Sequence, residues 1–306
     1  MVGKKKRTYT RKHLKKRINP QLYIGGNNDR PYLFIDMHSG TGLGNKLYIY
    51  AAGIVEKNKR NMPLYLLPGS SPHSEKGYNH ILFKQGIPVD NPSEIYTRGE
   101  KAKVIYENVN TPQNIPKNRS NVSPNENVRL AKRYYQNYEY ISSAIPSIRR
   151  DFAKYFNETN PTFKHTIKSS NTAFIHVRRG DVLQLGYDMK MDFYQKALDM
   201  FNDSDNIHDI YILSDDVAWC REQKWNTTKK LLGLDPKDEA VNKDELHALH
   251  IMSLCLAGAI IGASTFSTWG AILGADTNNA SLIIYPQKWW TIDGKKHHFP
   301  ERWIAI

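Results

Sequence analysis

Residues 173–181 read Ala173-Phe174-Ile175-His176-Val177-Arg178-Arg179-Gly180-Asp181. The apolar run Ala173-Phe174-Ile175 is short and follows a polar loop, the pattern of a strand buried in a parallel sheet. Two arginines, a glycine and an aspartate then leave its carboxyl end, where open α/β sheets place their ligands. An arginine fork matches phosphate oxygens, and glycine lets a diphosphate come close to the backbone. An Arg-Asp ion pair that caps the strand is the competing reading of the same residues.

The residues on either side alternate between strand and helix. After residue 190, Tyr194, Ala197, Leu198 and Phe201 recur at i, i+3, i+4 and i+7, the spacing of one helix face. Asp209-Ile210-Tyr211-Ile212-Leu213-Ser214-Asp215-Asp216 reads as a strand that ends in two carboxylates. Asp244 caps a helix carrying Leu246, Leu249, Met252 and Leu256. Ala259 to Ala263 is a further strand that runs into Ser264-Thr265-Phe266-Ser267 at a helix start, and Ser281 to Tyr285 is the last strand. Such β-α-β alternation predicts a parallel, Rossmann-like sheet.

Towards the amino terminus, the strand Tyr32 to Met37 meets the glycine-rich turn Ser39-Gly40-Thr41-Gly42-Leu43-Gly44-Asn45 and a helix to about Lys59. The spacing is not that of a dinucleotide fingerprint, and a Walker A loop is absent. Residues 107–128, rich in Asn and Pro, read as a long loop. The aromatic run 134–140 precedes a helix ending near Phe156, and Pro161 to Ser170 reads as a linker.

The 306 residues suffice for two core-bearing domains or one large one. The formal charge of +13 is concentrated at one end: residues 1–17 hold nine Lys/Arg and no acid, and the remainder carries 34 basic against 30 acidic residues. The basic tail suits an anionic partner, lipid or nucleic acid, or a localisation signal, and an idle solvated tail fits equally well. It lacks the apolar segment of a signal peptide, and no run reaches the length of a membrane span, so the expectation is a cytoplasmic protein, membrane-peripheral at most through the tail. Cys220 and Cys255 give no disulfide framework.

Three strand ends carry polar residues: 178–181, 214–216 and 264–267. In a parallel sheet they share one edge. Arg178 would clamp a diphosphate, Ser264 and Thr265 would present hydroxyls and a helix N-terminus, and Asp215 or Asp216 would accept from guanine or a ribose. His247 and His250 lack the further ligands of a zinc site and read as satisfied or surface histidines. Trp289 and Trp290 read as core.

In order along the chain, Gly42-Leu43-Gly44-Asn45, His176 to Asp181, Leu213-Ser214-Asp215-Asp216-Val217-Ala218-Trp219-Cys220 and Ser264-Thr265-Phe266-Ser267 resemble the motifs of the α-1,2-fucosyltransferases, glycosyltransferase family 11. Tyr135-Gln136 with Tyr140 is similar to that family's aromatic segment, and Met252-Ser253-Leu254-Cys255 to its approach to the last motif. The resemblance implies a GT-B-like α/β fold of two Rossmann-like domains facing across a cleft. Its parts would be a flexible tail over 1–30, an acceptor-side domain over 31–160 and a GDP-sugar-binding domain over 161–306.

It also implies inverting, metal-independent transfer of L-fucose from GDP-fucose to a saccharide hydroxyl, α-1,2 to galactose or a similar acceptor, with no cofactor. Carried over, Arg178, Asp181 and Asn45 are the catalytic set, with Asp181 taking the acceptor proton and Asp188 behind it. His176, Arg178, Gly42, Gly44, Asp215, Asp216, Ser264, Thr265 and Phe266 bind the donor. Lys46, Val182 and Thr268 depart from the family, which usually has Gln, an aromatic and Trp there. Two rivals stay open: a fucosyltransferase of α-1,6 or O-fucose type, and a non-catalytic binder acting through the basic tail.

Overall fold

A computed structural model of the protein describes residues 31–37, 42–67, 83, 85–88, 102–105, 126–130, 134–159, 167, 169–184, 186, 188–238, 244–289 and 299–306. The basic tail, on which the expected anionic partner rests, residues 39–41 of the glycine-rich turn, most of the 107–128 loop, residues 161–166 and 168 of the linker, and Trp290 lie outside the described residues.

Two parallel sheets make up the described chain. In the first, β1 (Leu33–Asp36), β2 (Leu64–Leu67), β3 (Ile87–Pro88), β4 (Lys103–Ile105) and β5 (Val128–Leu130) pair in the order β3-β2-β1-β5-β4. In the second, β6 (Thr172–Val177), β7 (Asp209–Ser214), β8 (Lys230–Leu232), β9 (Gly258–Ile261), β10 (Leu282–Tyr285) and β11 (Ile304–Ala305) pair in the order β11-β10-β9-β6-β7-β8. All six residues of β6 are buried, which explains why this strand reads as a continuous apolar run rather than an alternation.

The order of the second sheet positions the site. From the central β6 the chain runs outward through β7 and β8, then returns to the opposite side through β9, β10 and β11. The connections that follow β6 and β9 therefore diverge, and a crevice opens at their carboxyl ends. Register brings His176 beside Ile261 and Val177 beside Ser214, so the ends of β6, β7 and β9 lie level.

The helices are α1 (Leu43–Arg60), α2 (Tyr138–Ile141), α3 (Ile145–Thr159), α4 (Gly180–Gln184), α5 (Met191–Asn202), α6 (Val217–Glu222), α7 (Glu245–Leu254) and α8 (Thr265–Leu273). The buried residues of α5 are Tyr194, Ala197, Leu198 and Phe201, the predicted face. Asp244 caps α7 by accepting from the Leu246 and His247 amides at 2.9 and 3.1 Å. The helix predicted to end near Phe156 is interrupted: a 3-10 turn over 142–144 separates α2 from α3.

A shared core joins the two sheets. One buried cluster contains Leu33 of the first sheet with Leu47 of the helix α1, Leu213 of the second sheet with Trp269 of the helix α8, and Phe152 of α3. Tyr48 meets Trp269 edge to face, with ring centroids 5.4 Å apart. Helix α3 reaches the second sheet's helices: Arg149 Nε donates to the Ile272 carbonyl at 2.8 Å, and His250 stacks on Phe156 at 4.2 Å.

Asp276, just beyond α8, ties these parts together. Its buried carboxylate accepts from Tyr138 Oη and Arg149 Nη2, each at 2.7 Å, from Trp303 Nε1 at 3.0 Å, and from Arg302. Asp276→Ala would take the carboxylate from two arginines, the half-buried Tyr138 hydroxyl and the buried Trp303 indole. Removal of one partner from such a cluster costs about 3–5 kcal/mol, and a denaturant titration should show a loss of that size with an unchanged m-value.

Candidate functional site

The edge predicted from the three strand ends is where the structure gathers them. Arg178 leaves β6, Asp215 leaves β7, and Ser264 precedes α8 after β9. Arg178 ion-pairs with two carboxylates, Asp181 at 2.6 Å and Asp215 at 2.9 Å. Asp181 stands in the first turn of the short α4 with a side chain 70% exposed, whereas that of Asp215 is 27% exposed. A guanidinium has five N–H donors, more than two carboxylate contacts consume.

Arg179 points into the fold instead. Its backbone N–H donates to Asp215 Oδ1 at 2.8 Å and its Nε to Asp216 Oδ2 at 3.1 Å. Its guanidinium lies 4.0 Å above the Trp219 ring, and Asp188 approaches at 3.7 Å. Asp216 also caps α6, accepting from the Trp219 amide at 3.1 Å. Each of the four oxygens of Asp215 and Asp216 thus accepts from, or pairs with, an arginine or a helix end. Asp188 is buried and held by Lys190 and Arg179, so it braces the arginine rather than facing an incoming hydroxyl. A Cβ at Gly180 would sit 2.7 Å from Asp215 Oδ2, so a larger residue there would have to push that carboxylate aside.

His176 lies beneath Arg178, buried, with its ring tilted against Phe266 at 5.5 Å. Burial, with help from the Arg178 charge and against the pull of Asp215, lowers its pKa to about 4. The imidazole is therefore neutral near pH 7. Because the folded value lies below the ordinary 6.5, only the unfolded chain takes up a proton between those two values. Stability is expected to be full above about pH 6.5 and to fall by on the order of 3 kcal/mol as pH drops towards 4. Comparison of denaturation at about pH 7 and about pH 4.5 in wild type and His176→Asn checks this: the variant should lose much of the difference.

Two helix N-termini meet above the crevice. α1 follows Gly42 and α8 follows Ser264; neither cap residue supplies a side-chain hydrogen bond, and neither first turn contains an acid. A Cβ at Gly44 would lie 2.4 Å from the Phe266 amide nitrogen and 2.5 Å from the Thr265 carbonyl carbon. Only glycine allows this approach of backbone to backbone. A Cβ at Gly42 would meet nothing within 4 Å, so open space lies beside the helix end there. Two positive dipole ends held together with arginine nearby form a site for an anion.

Asn45, in the first turn of α1, bridges the halves. Its Oδ1 accepts from Thr265 Oγ1 at 2.9 Å and from Gln136 Nε2 at 2.8 Å. The Thr265 hydroxyl proton, expected from sequence to face a phosphate, is spent on Asn45. Lys46, the next residue, is buried; burial lowers its pKa while Glu245 opposes the shift. Gln136 was not among the predicted site residues, although it lies inside the aromatic segment. The signal for it is weak, because its partner Asn45 lies 91 residues away in the chain. Among the described residues no group of three or more His, Cys, Asp or Glu side chains could hold a metal, and no helix is long and apolar enough to cross a membrane. Cys220 is buried, with its thiol pushed up to about 11 by burial.

Known proteins bear on this arrangement. O-antigen biosynthesis glycosyltransferase WbnK of Escherichia coli is 29% identical over 189 residues, a match covering 56% of this chain. The chain spans 59% of the length of that relative. The α-1,2-colitosyltransferase of Escherichia coli is 24% identical over 292 residues, covering 87% of this chain and 96% of its own. Among solved structures, fucosyltransferase NodZ from Bradyrhizobium overlaps with a TM-score of 0.45 at 12% identity, over 80% of this chain and 94% of that chain. Residues 122–306, which carry every strand end described above, match the family model of glycosyl transferase family 11, and the chain belongs to that family.

Proposed function

We propose that this protein transfers L-fucose, or a close deoxy relative, from its GDP derivative to a saccharide hydroxyl, with inversion and without a metal ion. The observation that supports this best is the convergence of two uncapped helix N-termini and Arg178 at the crevice between β6 and β9. A departing diphosphate needs positive charge fixed in place, and this site supplies it from amides and a guanidinium. Asp181, the most exposed of the carboxylates around the arginines, is the partner that gives way when a diphosphate reaches Arg178. It then stands free to take the acceptor's proton. Asp215 and Asp216 retain second lone pairs for the expected guanosine contact. The acceptor enters from the first-sheet side, which Asn45 and Gln136 represent at the site, and the second sheet holds the donor.

A specific observation favours a second donor. The relative that aligns over almost its whole length is named a colitosyltransferase, and colitose is fucose without its 3-hydroxyl. Calorimetric titration with GDP, GDP-fucose, GDP-colitose, GDP-mannose and UDP-galactose in EDTA tests the whole proposal. Binding of the guanine nucleotides without metal supports it, and preference for one deoxy sugar names the donor. Selective binding of UDP-galactose, or binding only with added metal, defeats it. Linkage analysis of the product then separates α-1,2 from α-1,6 or O-linked transfer.

A further inference from the structure

We infer that Gln136 and Thr265 are positioning residues that lock the Asn45 side-chain amide with its NH2 edge turned towards the donor diphosphate. The inference rests on the donor-binding reading above. Asn45 Oδ1 accepts from Gln136 Nε2 and Thr265 Oγ1 at once, at 2.8 and 2.9 Å. An amide oxygen has two lone pairs, so both are used, and the oxygen cannot also turn to a ligand. The opposite edge of the amide is Nδ2 with its two N–H donors. Asn45 lies three residues beyond the Gly42 cap, where α1 meets the start of α8, so these donors add to the two helix ends and Arg178. Orientation decides the sign: the same side chain rotated by half a turn would aim an oxygen at the anion.

The chain holds Gln136 in place at some cost. Tyr135 has a φ of 52°, a left-handed conformation that is uncommon for a bulky residue and costs on the order of 1–3 kcal/mol. Its ring is buried and stacked over Tyr140 at 6.1 Å, which secures one side of the turn. On the other side, the Asn137 amide donates to the Tyr135 carbonyl at 2.8 Å, and the Asn137 side chain caps α2 at 3.0 Å. Gln136 is thus displayed between two anchors, and strain at this point is consistent with a part in the site.

Gln136→Glu is the sharpest test, because it preserves size while replacing the donating NH2 with an acceptor. Two oxygens would then face each other, and rotation of the Asn45 amide is the remedy. GDP affinity, measured by calorimetry near pH 7.5, should fall about ten- to a hundredfold in Gln136→Glu and by less in Gln136→Ala. Relative to wild type at the same pH, the Glu variant should partly recover towards pH 5, where the protonated carboxyl can donate again. Thr265→Val, which lacks the hydroxyl, should weaken GDP, and Thr265→Ser, which retains it, should recover most of that loss. A Glu variant that binds as tightly as wild type overturns the inference, as do Glu and Ala variants that weaken equally without recovery at low pH. A nucleotide-free measurement separates this from the donor reading. In amide exchange by NMR on the free protein, the Gln136 side-chain NH2 should be protected and that of Asn45 should exchange rapidly. The reverse order overturns the inference, whether or not wild type takes GDP; a wild type that takes none defeats only the donor reading.

Discussion

Arg178→Ala should lower kcat/KM by about a thousandfold and weaken GDP by about ten- to a hundredfold, so that donor binding and turnover fail together. The guanidinium stands at the end of the central strand of a six-stranded sheet, level with Asp215 and below the start of α8. In the proposed reaction its charge would matter more as the diphosphate departs than while it is bound, because negative charge on a leaving group grows in the transition state. Turnover should therefore suffer more than affinity. Arg178→Lys should recover only part of the loss: an ammonium is a point charge and cannot hold Asp215 and a phosphate together through one planar fork. Stability should change little, since of the two carboxylates left behind Asp181 is largely exposed to water and Asp215 keeps the Arg179 amide. Steady-state kinetics and calorimetry on the two variants measure this. GDP affinity equal to wild type in Arg178→Ala would move the phosphate site elsewhere.

Much of the second sheet could be read from the sequence because its strands are short apolar runs with chemistry at their carboxyl ends. Residues 173–178, 209–216 and 259–263 correspond to β6, β7 and β9 with shifts of one or two residues, and Asp244 caps the helix assigned to it. The shared edge followed from parallel pairing alone. Strand order did not. That β9 lies beside β6, and so creates the crevice, depends on long-range packing that no local pattern encodes. The same holds for the contact between α1 and α8. Gly44 reads as part of a loop motif, but its real constraint is the backbone of Phe266, more than two hundred residues away.

Side-chain roles were legible only where one element set them. Asp216 precedes a helix and caps it, a local rule. Arg179 carries no role of its own in the sequence reading, which gives the phosphate to Arg178, and in the fold Trp219, Asp188 and Asp216 turn it inward and make it a support for the strand end. Asp276 carries no local signal as an isolated acid after an apolar stretch, although it gathers donors from residues 138, 149, 302 and 303. Glu56 is similar: it is buried and satisfied by Lys59, Arg60 and Tyr140. Such clusters draw on distant segments, so their members look ordinary until the chain is folded.

Asp181→Asn should separate what Arg178→Ala joins. The amide oxygen of the variant can still accept from Arg178 Nη2, which now sits 2.6 Å from the carboxylate, so the local geometry should survive. A formal negative charge next to the diphosphate is removed, so GDP should bind as well as to wild type or slightly more tightly. Turnover should nevertheless fall by about a hundred- to ten-thousandfold, because an amide cannot take the acceptor's proton. Asp181→Ala removes the same charge and should lower turnover as far without weakening GDP, because Asp215 still holds Arg178 and Asp181 gives way to the diphosphate in any case. The split between affinity and turnover is the decisive quantity. Two carboxylates contact Arg178, and Asp215, at the end of β7, also accepts from the Arg179 amide, which fixes it in a bracing role. Asp181 comes from a short helix open to solvent and has no second protein partner among the bonds described, so it is the one that can exchange an arginine for a substrate. If GDP affinity in Asp181→Asn dropped in step with turnover, Asp181 would be a brace like Asp215, and the proton would have to leave by another group.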